Sequence, residues 1–209
     1  MSDIRLVIFD LDGTLYDLKG MKRQIFVRAF PAAFLHLFIT QKRRKQLSGR
    51  VFDGKDELLS CMMRRPWWAL PRAAALQAWY EQDFYRIFLD ILGGRAPRDG
   101  ASRLLAGLAE AGIPVAVVSD YGHVAERLQL LGLVRDGMFT ASCEDYGVLK
   151  PCRRPFEAAL SHFDVSAAEA LVVGDRDDTD GASARLLGCE FFMVKDDRDF
   201  LILQDRFCS

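Results

Sequence analysis

A series of short, unbroken apolar runs, each ending in an acid or a hydroxyl, constrains this chain more than any other feature. Ile4-Arg-Leu-Val-Ile-Phe9 runs into Asp10-Leu-Asp12-Gly13-Thr14, Ile113-Pro-Val-Ala-Val-Val118 into Ser119-Asp120, and Ala170-Leu-Val-Val173 into Gly174-Asp175. Phe191-Phe-Met-Val194 is a fourth run and Met138-Phe-Thr-Ala141 a weaker fifth. Runs without alternation belong to strands buried on both faces, as in parallel sheets. Helical patterns separate them. Gly100 to Ala111 carries Leu104, Leu105 and Leu108, and Val124 to Leu131 carries Leu128 and Leu131. Arg154 to Phe163 carries Phe156, Ala159, Leu160 and Phe163, and Ala182 to Leu187 stops at Gly188. Ser166-Ala-Ala-Glu169 fits a capping box that opens a short helix. Strand–helix alternation of this kind predicts an α/β fold, a parallel sheet with right-handed crossovers.

Residues 18–96 break the rhythm. They show no β-type alternation, and Phe26, Phe30, Phe34 and Phe38 recur every four residues. Leu76, Trp79, Tyr80, Phe84 and Phe88 also fall at helical spacing. The expectation is a helical insert at 18–96 within a core formed by 1–17 and 97–209. The whole chain carries a net charge of −1, which hides an uneven distribution. The insert holds 15 Lys and Arg against 6 Asp and Glu, a balance of +9, and the remainder stands at −10. The insert also holds 12 of the 23 aromatic residues, including all three tryptophans. Such asymmetry points to two bodies with different tasks. The stretch from Ala29 to Ile39, followed by Gln41-Lys-Arg-Arg-Lys45, could be a membrane-surface segment. Its shortness and Pro31 favour a buried helix with a charged end.

Ligands of open parallel sheets bind outside the carboxyl ends of the strands. There this sequence places Asp10, Asp12, Ser119 and Asp175, with Lys150-Pro151 in a loop between helices. Crowded carboxylates repel unless a cation compensates them, and a hard divalent ion with oxygen ligands, Mg²⁺ above all, suits them. A lysine and a hydroxyl remain to hold an anionic group such as phosphate.

Asp10-Leu-Asp12-Gly13-Thr14-Leu15, Ser119, Lys150-Pro151 and Gly174-Asp175-Arg-Asp-Asp-Thr-Asp180 resemble the four ordered motifs of the haloacid dehalogenase-like hydrolase superfamily. The resemblance spans residues 4–17 and about 98–195 and implies a Rossmann-like core with a helical cap inserted between the first two motifs. It implies that Asp10 is the nucleophile, forming an aspartyl-phosphate, and that Asp12 is the general acid and then base. It implies metal ligation by Asp10, by Asp12 through its backbone carbonyl, and by Asp175. Asp180 would lie in a second shell, orienting water or Lys150. Ser119 and Lys150 would bind the phosphoryl oxygens. The dehalogenase branch lacks the second acid, so Asp12 argues for a phosphate ester or anhydride. Asp120 stands where many relatives carry a neutral residue, and it could point into the site or away from it. Asp177 and Asp178 read as solvated loop acids.

The expected activity is a Mg²⁺-dependent phosphohydrolase acting on a small phosphorylated metabolite. The alternatives are a phosphomutase of the β-phosphoglucomutase type and a non-catalytic binding protein on the same fold. The basic insert predicts a substrate anionic beyond its phosphate, with Lys19, Lys22, Arg23, Arg64 and Arg65 as candidate contacts, most of these charges being expected in solvent. Trp67 and Trp68 read as cap core, and His36, His123 and His162 as structural or surface residues. No apolar run reaches the roughly 18–20 residues that span a bilayer, so stable membrane insertion is not expected, nor is a nucleic-acid partner. Five dispersed cysteines without a CxxC read as reduced thiols in a cytoplasmic protein.

Overall fold

The computed structural model describes residues 4–30, 33–66, 68 and 72–208. Five parallel strands form one sheet in the order β3-β2-β1-β4-β5. They are β1 (Leu6–Phe9), β2 (Val115–Ser119), β3 (Phe139–Ser142), β4 (Ala170–Gly174) and β5 (Glu190–Met193). The register places Val7 beside Val115 on one flank and beside Leu171 on the other. Every residue of β1, β2 and β4 is buried, as their unbroken apolar sequences predict. Successive residues of a strand point to opposite faces. Leu6, Ile8, Ala116, Val118 and Val172 pack with Phe156, Ala159 and Ala184 on one side. Val7, Phe9, Val117, Leu171 and Val173 join a larger cluster on the other. The chain is therefore an α/β protein with a Rossmann-like parallel sheet.

Among the described residues, five helices lie between β1 and the helix that precedes β2. They are α1 (Met21–Ala29), α2 (Phe34–Leu47), α3 (Lys55–Met63), α4 (Ala73–Ala78) and α5 (Tyr85–Leu92). A π-helical stretch, Trp79–Phe84, joins α4 to α5. Met21, Ile25 and Ala29 are buried at spacings of four, and Tyr85, Phe88, Ile91 and Leu92 at spacings of three and four. Each set forms one apolar stripe of its helix. These stripes belong to the same cluster as Phe9 and Val117, so segment and sheet share one core.

The remaining helices are α6 (Ala101–Glu110), α7 (Val124–Leu130), α8 (Arg154–Phe163), α9 (Ala182–Leu187) and α10 (Arg198–Phe207). Around Ser166 both capping-box bonds form, but they open only a 3₁₀ turn, Ala167–Glu169, directly before β4. Helix α10 is absent from the reading above, although Phe200, Leu203 and Phe207 lie at helical spacing and Phe200 and Leu203 are buried.

The phenylalanine series departs from expectation. It spans two helices rather than one: Phe26 lies on α1, Phe30 at its end, and Phe34 and Phe38 on α2. The four rings contact one another along one ridge, Phe26 stacked on Phe30 and edge to face with Phe34 at 5.0 Å. The ridge faces solvent, Phe30 being 60% and Phe38 57% exposed. A period of four gives one face of a helix but not which face is inward, and Met21, Ile25 and Ala29 hold the inner one. Pro31, expected to argue against a surface segment, and Trp67, expected in the core, lie outside the described residues. Trp68 is 71% exposed rather than core.

Candidate active site

The chain turns sharply after β1. Asp10 N–H still continues the sheet, donating to the Val173 carbonyl at 2.8 Å. Gly13 has φ +95°, and a Cβ there would stand 2.3 Å from Asp175 Oδ2. This turn is thus confined to glycine both by its backbone and by the carboxylate across from it. Gly174 plays the matching part at the end of β4, where a Cβ would lie 2.5 Å from the side chain of Asp180. The two glycines let the acids of β1 and β4 approach closely.

Lys150 organises the acids. Its Nζ donates to Asp10 Oδ1 at 2.6 Å, to Asp180 Oδ1 at 2.8 Å and to the Val118 carbonyl at 2.8 Å. All three donors of the ammonium are satisfied, and the lysine is buried. The other oxygen of Asp10 accepts from Thr14 Oγ1 at 3.0 Å. Asp10, Asp175 and Asp180 each offer an oxygen within 4.8 Å of the others. With all three carboxylates ionised, a single ammonium leaves an excess of about two negative charges. Burial drives the Asp10 carboxyl well above its ordinary range, with Asp180 and Asp12 adding to the rise and Lys150 opposing it. Burial and Asp180 push Asp175 up to about 6. Burial alone would lower Lys150, but Asp10 and Asp180 more than offset it and hold the ammonium charged. A purely oxygen donor set with two charges uncompensated fits a hard divalent cation, Mg²⁺ in kind.

Asp12 faces a different set of partners. Arg127 donates to its Oδ1, as does the Tyr16 hydroxyl, and Ser119 Oγ donates to its Oδ2 at 2.6 Å. Arg127 also donates to Ser119 Oγ at 2.9 Å. Burial alone would raise the Asp12 carboxyl. The guanidinium and these hydrogen bonds outweigh it, and the net shift is downward. The structure thus brings Asp10, Lys150, Asp175 and Asp180 into one group and sets Asp12 and Ser119 in a second, adjoining one. The Ser119 hydroxyl, expected at the phosphate, is turned to Asp12.

Arg127, fully buried, is absent from the reading above. Its signal lies in α7, where the apolar stripe Val124, Leu128 and Leu131 includes position 127 at i+3. An arginine on such a stripe is placed inward and needs a buried acid. A second missed group joins the helical segment to the core. Arg44 of α2 donates to Glu144 and to the Tyr80 hydroxyl, and Tyr80 and Tyr85 also donate to Glu144. The Asp120 Oδ1 accepts from Lys150 N–H at 2.8 Å, and the residue also lines a polar cavity above the site. Asp177 and Asp178 are exposed and paired with Arg185 and Arg176. His123 lies exposed beside Glu126, His36 against Trp79, and His162 against Phe139 and Phe163.

Two cavities open above these groups. A polar one, about 510 Å³, is lined by Lys150, Lys22, Arg44, Lys45, Asp120 and Arg176, among others. An apolar one, about 310 Å³, is lined by Asp12 together with residues of α1, α2 and α5. Of the cations expected to meet substrate, Lys22 lines both, Arg23 lines a separate surface depression, and Lys19, Arg64 and Arg65 line neither.

The model of the haloacid dehalogenase-like hydrolases matches residues 4–188. The chain belongs to that family. A curated relative, the glyceraldehyde 3-phosphate phosphatase of Pyrococcus abyssi, is 36% identical over 206 residues, covering 92% of this chain and 82% of its own. Among solved structures, the family's fold is shared with the putative HAD-hydrolase YfnB of Bacillus subtilis (TM-score 0.64, 19% identity, 92% of this chain and 89% of that one). It is shared as well with CbbY of Rhodobacter sphaeroides in complex with xylulose-(1,5)bisphosphate (TM-score 0.63, 20% identity, 90% and 84%). As a member of the haloacid dehalogenase-like hydrolases, the protein is an enzyme.

Proposed function

We propose that this enzyme, a hydrolase of phosphate esters, cleaves a small phosphorylated metabolite through an aspartyl-phosphate on Asp10. The observation that carries the reading is the Lys150 ammonium bonded to both Asp10 and Asp180 with Asp175 alongside, at the carboxyl ends of β1 and β4. Asp10, Asp175 and the backbone carbonyl of Asp12 would hold Mg²⁺, with Asp180 behind them. When bound, the ion supplies compensation for the charge of the carboxylates and of the phosphoryl group. The bonds from Lys150 and Thr14 aim the Asp10 carboxylate at phosphorus. Asp10 displaces the alkoxide, and the leaving oxygen takes its proton from the Asp12 carboxyl. Water then attacks the aspartyl-phosphate and loses its proton to Asp12, freeing phosphate and restoring both acids. Asp12 as found, held ionised by Arg127, is in the base form that the second step uses. Lys150 neutralises charge as the phosphoryl group passes to Asp10.

The helices of 18–96 act as a cap that excludes water from this site. Lys22 and Lys45, on the polar cavity, bring positive charge of the helical segment to where the phosphate would be met. All five cysteines are free thiols, which suits a cytoplasmic setting. Among the described residues no helix is long and apolar enough to cross a membrane.

Phosphate release from a panel of phosphate monoesters, with Mg²⁺ and with EDTA, tests the reading. It predicts Mg²⁺-dependent release that Asp10→Asn abolishes with the fold retained. Release by Asp10→Asn at the wild-type rate contradicts it, and isomerisation of a sugar phosphate with little release would indicate a phosphomutase.

A further inference from the structure

The two cavities differ in chemistry, and Asp12 tells which part of a substrate each receives. The phosphate belongs in the polar one, where Lys150 stands beside Asp10. A general acid must lie at the oxygen it protonates, so the leaving group extends from Asp12. What lies beyond Asp12 is a cavity walled by Met21, Ile25, Leu37, Phe84 and Phe88. Its polar groups are Asp12 itself, and Lys22, Gln41 and Tyr121, which line the polar cavity too; the Tyr121 ring packs against Phe84 and Phe88. At about 310 Å³ it is at the small end of ligand-sized pockets. A hydroxylated carbon chain placed there would lose its water and find no partners on Phe84, Phe88 or Ile25.

We infer that the cavity beside Asp12 is a leaving-group subsite for an apolar alcohol, an aryl or alkyl group of about one ring in size, so that the preferred substrate is an apolar phosphate monoester. The inference rests on the phosphatase reading, because Asp12's proton is what assigns this cavity to the leaving group. Phe84 and Phe88 stack face to face at 5.7 Å, and Arg127 lies over the Phe88 ring at 4.8 Å. The aromatic wall is thereby fixed by the same guanidinium that holds Asp12.

Two comparisons test it on the full chain with Mg²⁺, using 2-phenylethyl phosphate against glycerol 3-phosphate, both alkyl esters. The first is kcat/KM for phosphate release. The second is calorimetric binding of 2-phenylethylphosphonate against 2-hydroxyethylphosphonate, which needs no turnover. The expected result is a preference of about tenfold or more for the phenyl compound in each, the size typical of filling an apolar pocket. Leu37 is only partly buried, so Leu37→Gln and Leu37→Trp alter the pocket with little risk to folding. Both should cut the preference several-fold. Release with no phenyl preference overturns the subsite and leaves the phosphatase reading standing. A phenyl preference in binding with no release from either ester keeps the subsite as an apolar pocket and overturns the phosphatase reading. A preference unchanged in both Leu37 variants places the apolar group elsewhere and overturns the inference.

Discussion

The carboxyl edge of the sheet and the helical segment above it carry opposite charge, and they handle it differently. At the edge, Asp10, Asp175 and Asp180 crowd around one ammonium, so charge is left uncompensated where a ligand can reach it. In the segment the acids of the core answer two charges of the +9, and pairs formed within the segment leave that excess unchanged. Arg44 pairs with Glu144, Arg28 with Asp90, Lys55 with Asp145 and Arg86 with Asp83. Two of these pairs, Arg44–Glu144 and Lys55–Asp145, tie the segment to the core. A regional charge sum therefore measures in part how two parts attract each other, and not only what either attracts from solution. Of the insert's cations, Lys22, Arg44 and Lys45 line the polar cavity, and Arg44 is among the paired.

That comparison can be broken at its strongest tie. Arg44→Met leaves Glu144 buried without its cation and should cost about 3–5 kcal/mol in urea unfolding, the usual effect of removing one partner of a buried pair. Arg28→Met removes an exposed pair and should cost less than about 1 kcal/mol. Equal effects would mean that the buried cluster does not anchor the segment.

At the sheet edge, Lys150→Met should lower kcat by about 10²–10³, the usual loss on removing one preorganised charge donor. A KM effect alone would reduce Lys150 to a binding residue.

Proton and metal should compete there. Asp10 and Asp175 have folded pKa values above the unfolded carboxyl range of about 4. An acid raised by folding costs no stability below the unfolded pKa. It costs progressively more as pH rises from there to the folded value, about 6 for Asp175, and the cost is constant above it. Mg²⁺ at about 100 times its Kd should stabilise the protein by about 2.7 kcal/mol where the acids are ionised. Thermal melts with and without Mg²⁺ should therefore differ clearly at pH 8 and little at pH 5. The same increment at both would separate metal binding from these carboxyls.

The smallest effect belongs to the phenylalanine ridge. Phe30→Ser should change stability by no more than about 0.5 kcal/mol, as at an exposed position. A buried phenylalanine would cost about 3–5 kcal/mol on truncation.

Legibility in the sequence followed the same divide. The core strands were readable because burial on both faces writes itself as an unbroken apolar run, and the acids at their ends mark the edge. Asp10, Lys150, Asp175 and Asp180 could be picked out by motif order, and the structure sets them within hydrogen-bonding or ligating reach of one another. For Arg127 the apolar stripe of α7 marks an inward position but not its partner, because a buried ion pair between distant segments leaves no local pattern that joins the two. Tyr16 and Glu144 look like an ordinary core aromatic and an ordinary surface charge until their partners are known. The ridge at Phe26, Phe30, Phe34 and Phe38 failed for a related reason: periodicity gives a face, and only packing says whether that face turns inward.

The most direct test of the account is to find where the phosphoryl group goes. Rapid acid quench during turnover of a phosphate ester, followed by peptide mass spectrometry, should find a phosphoryl adduct on Asp10 and none on Asp12. An adduct on another residue, or turnover by an Asp10→Asn variant at the wild-type rate, would contradict it.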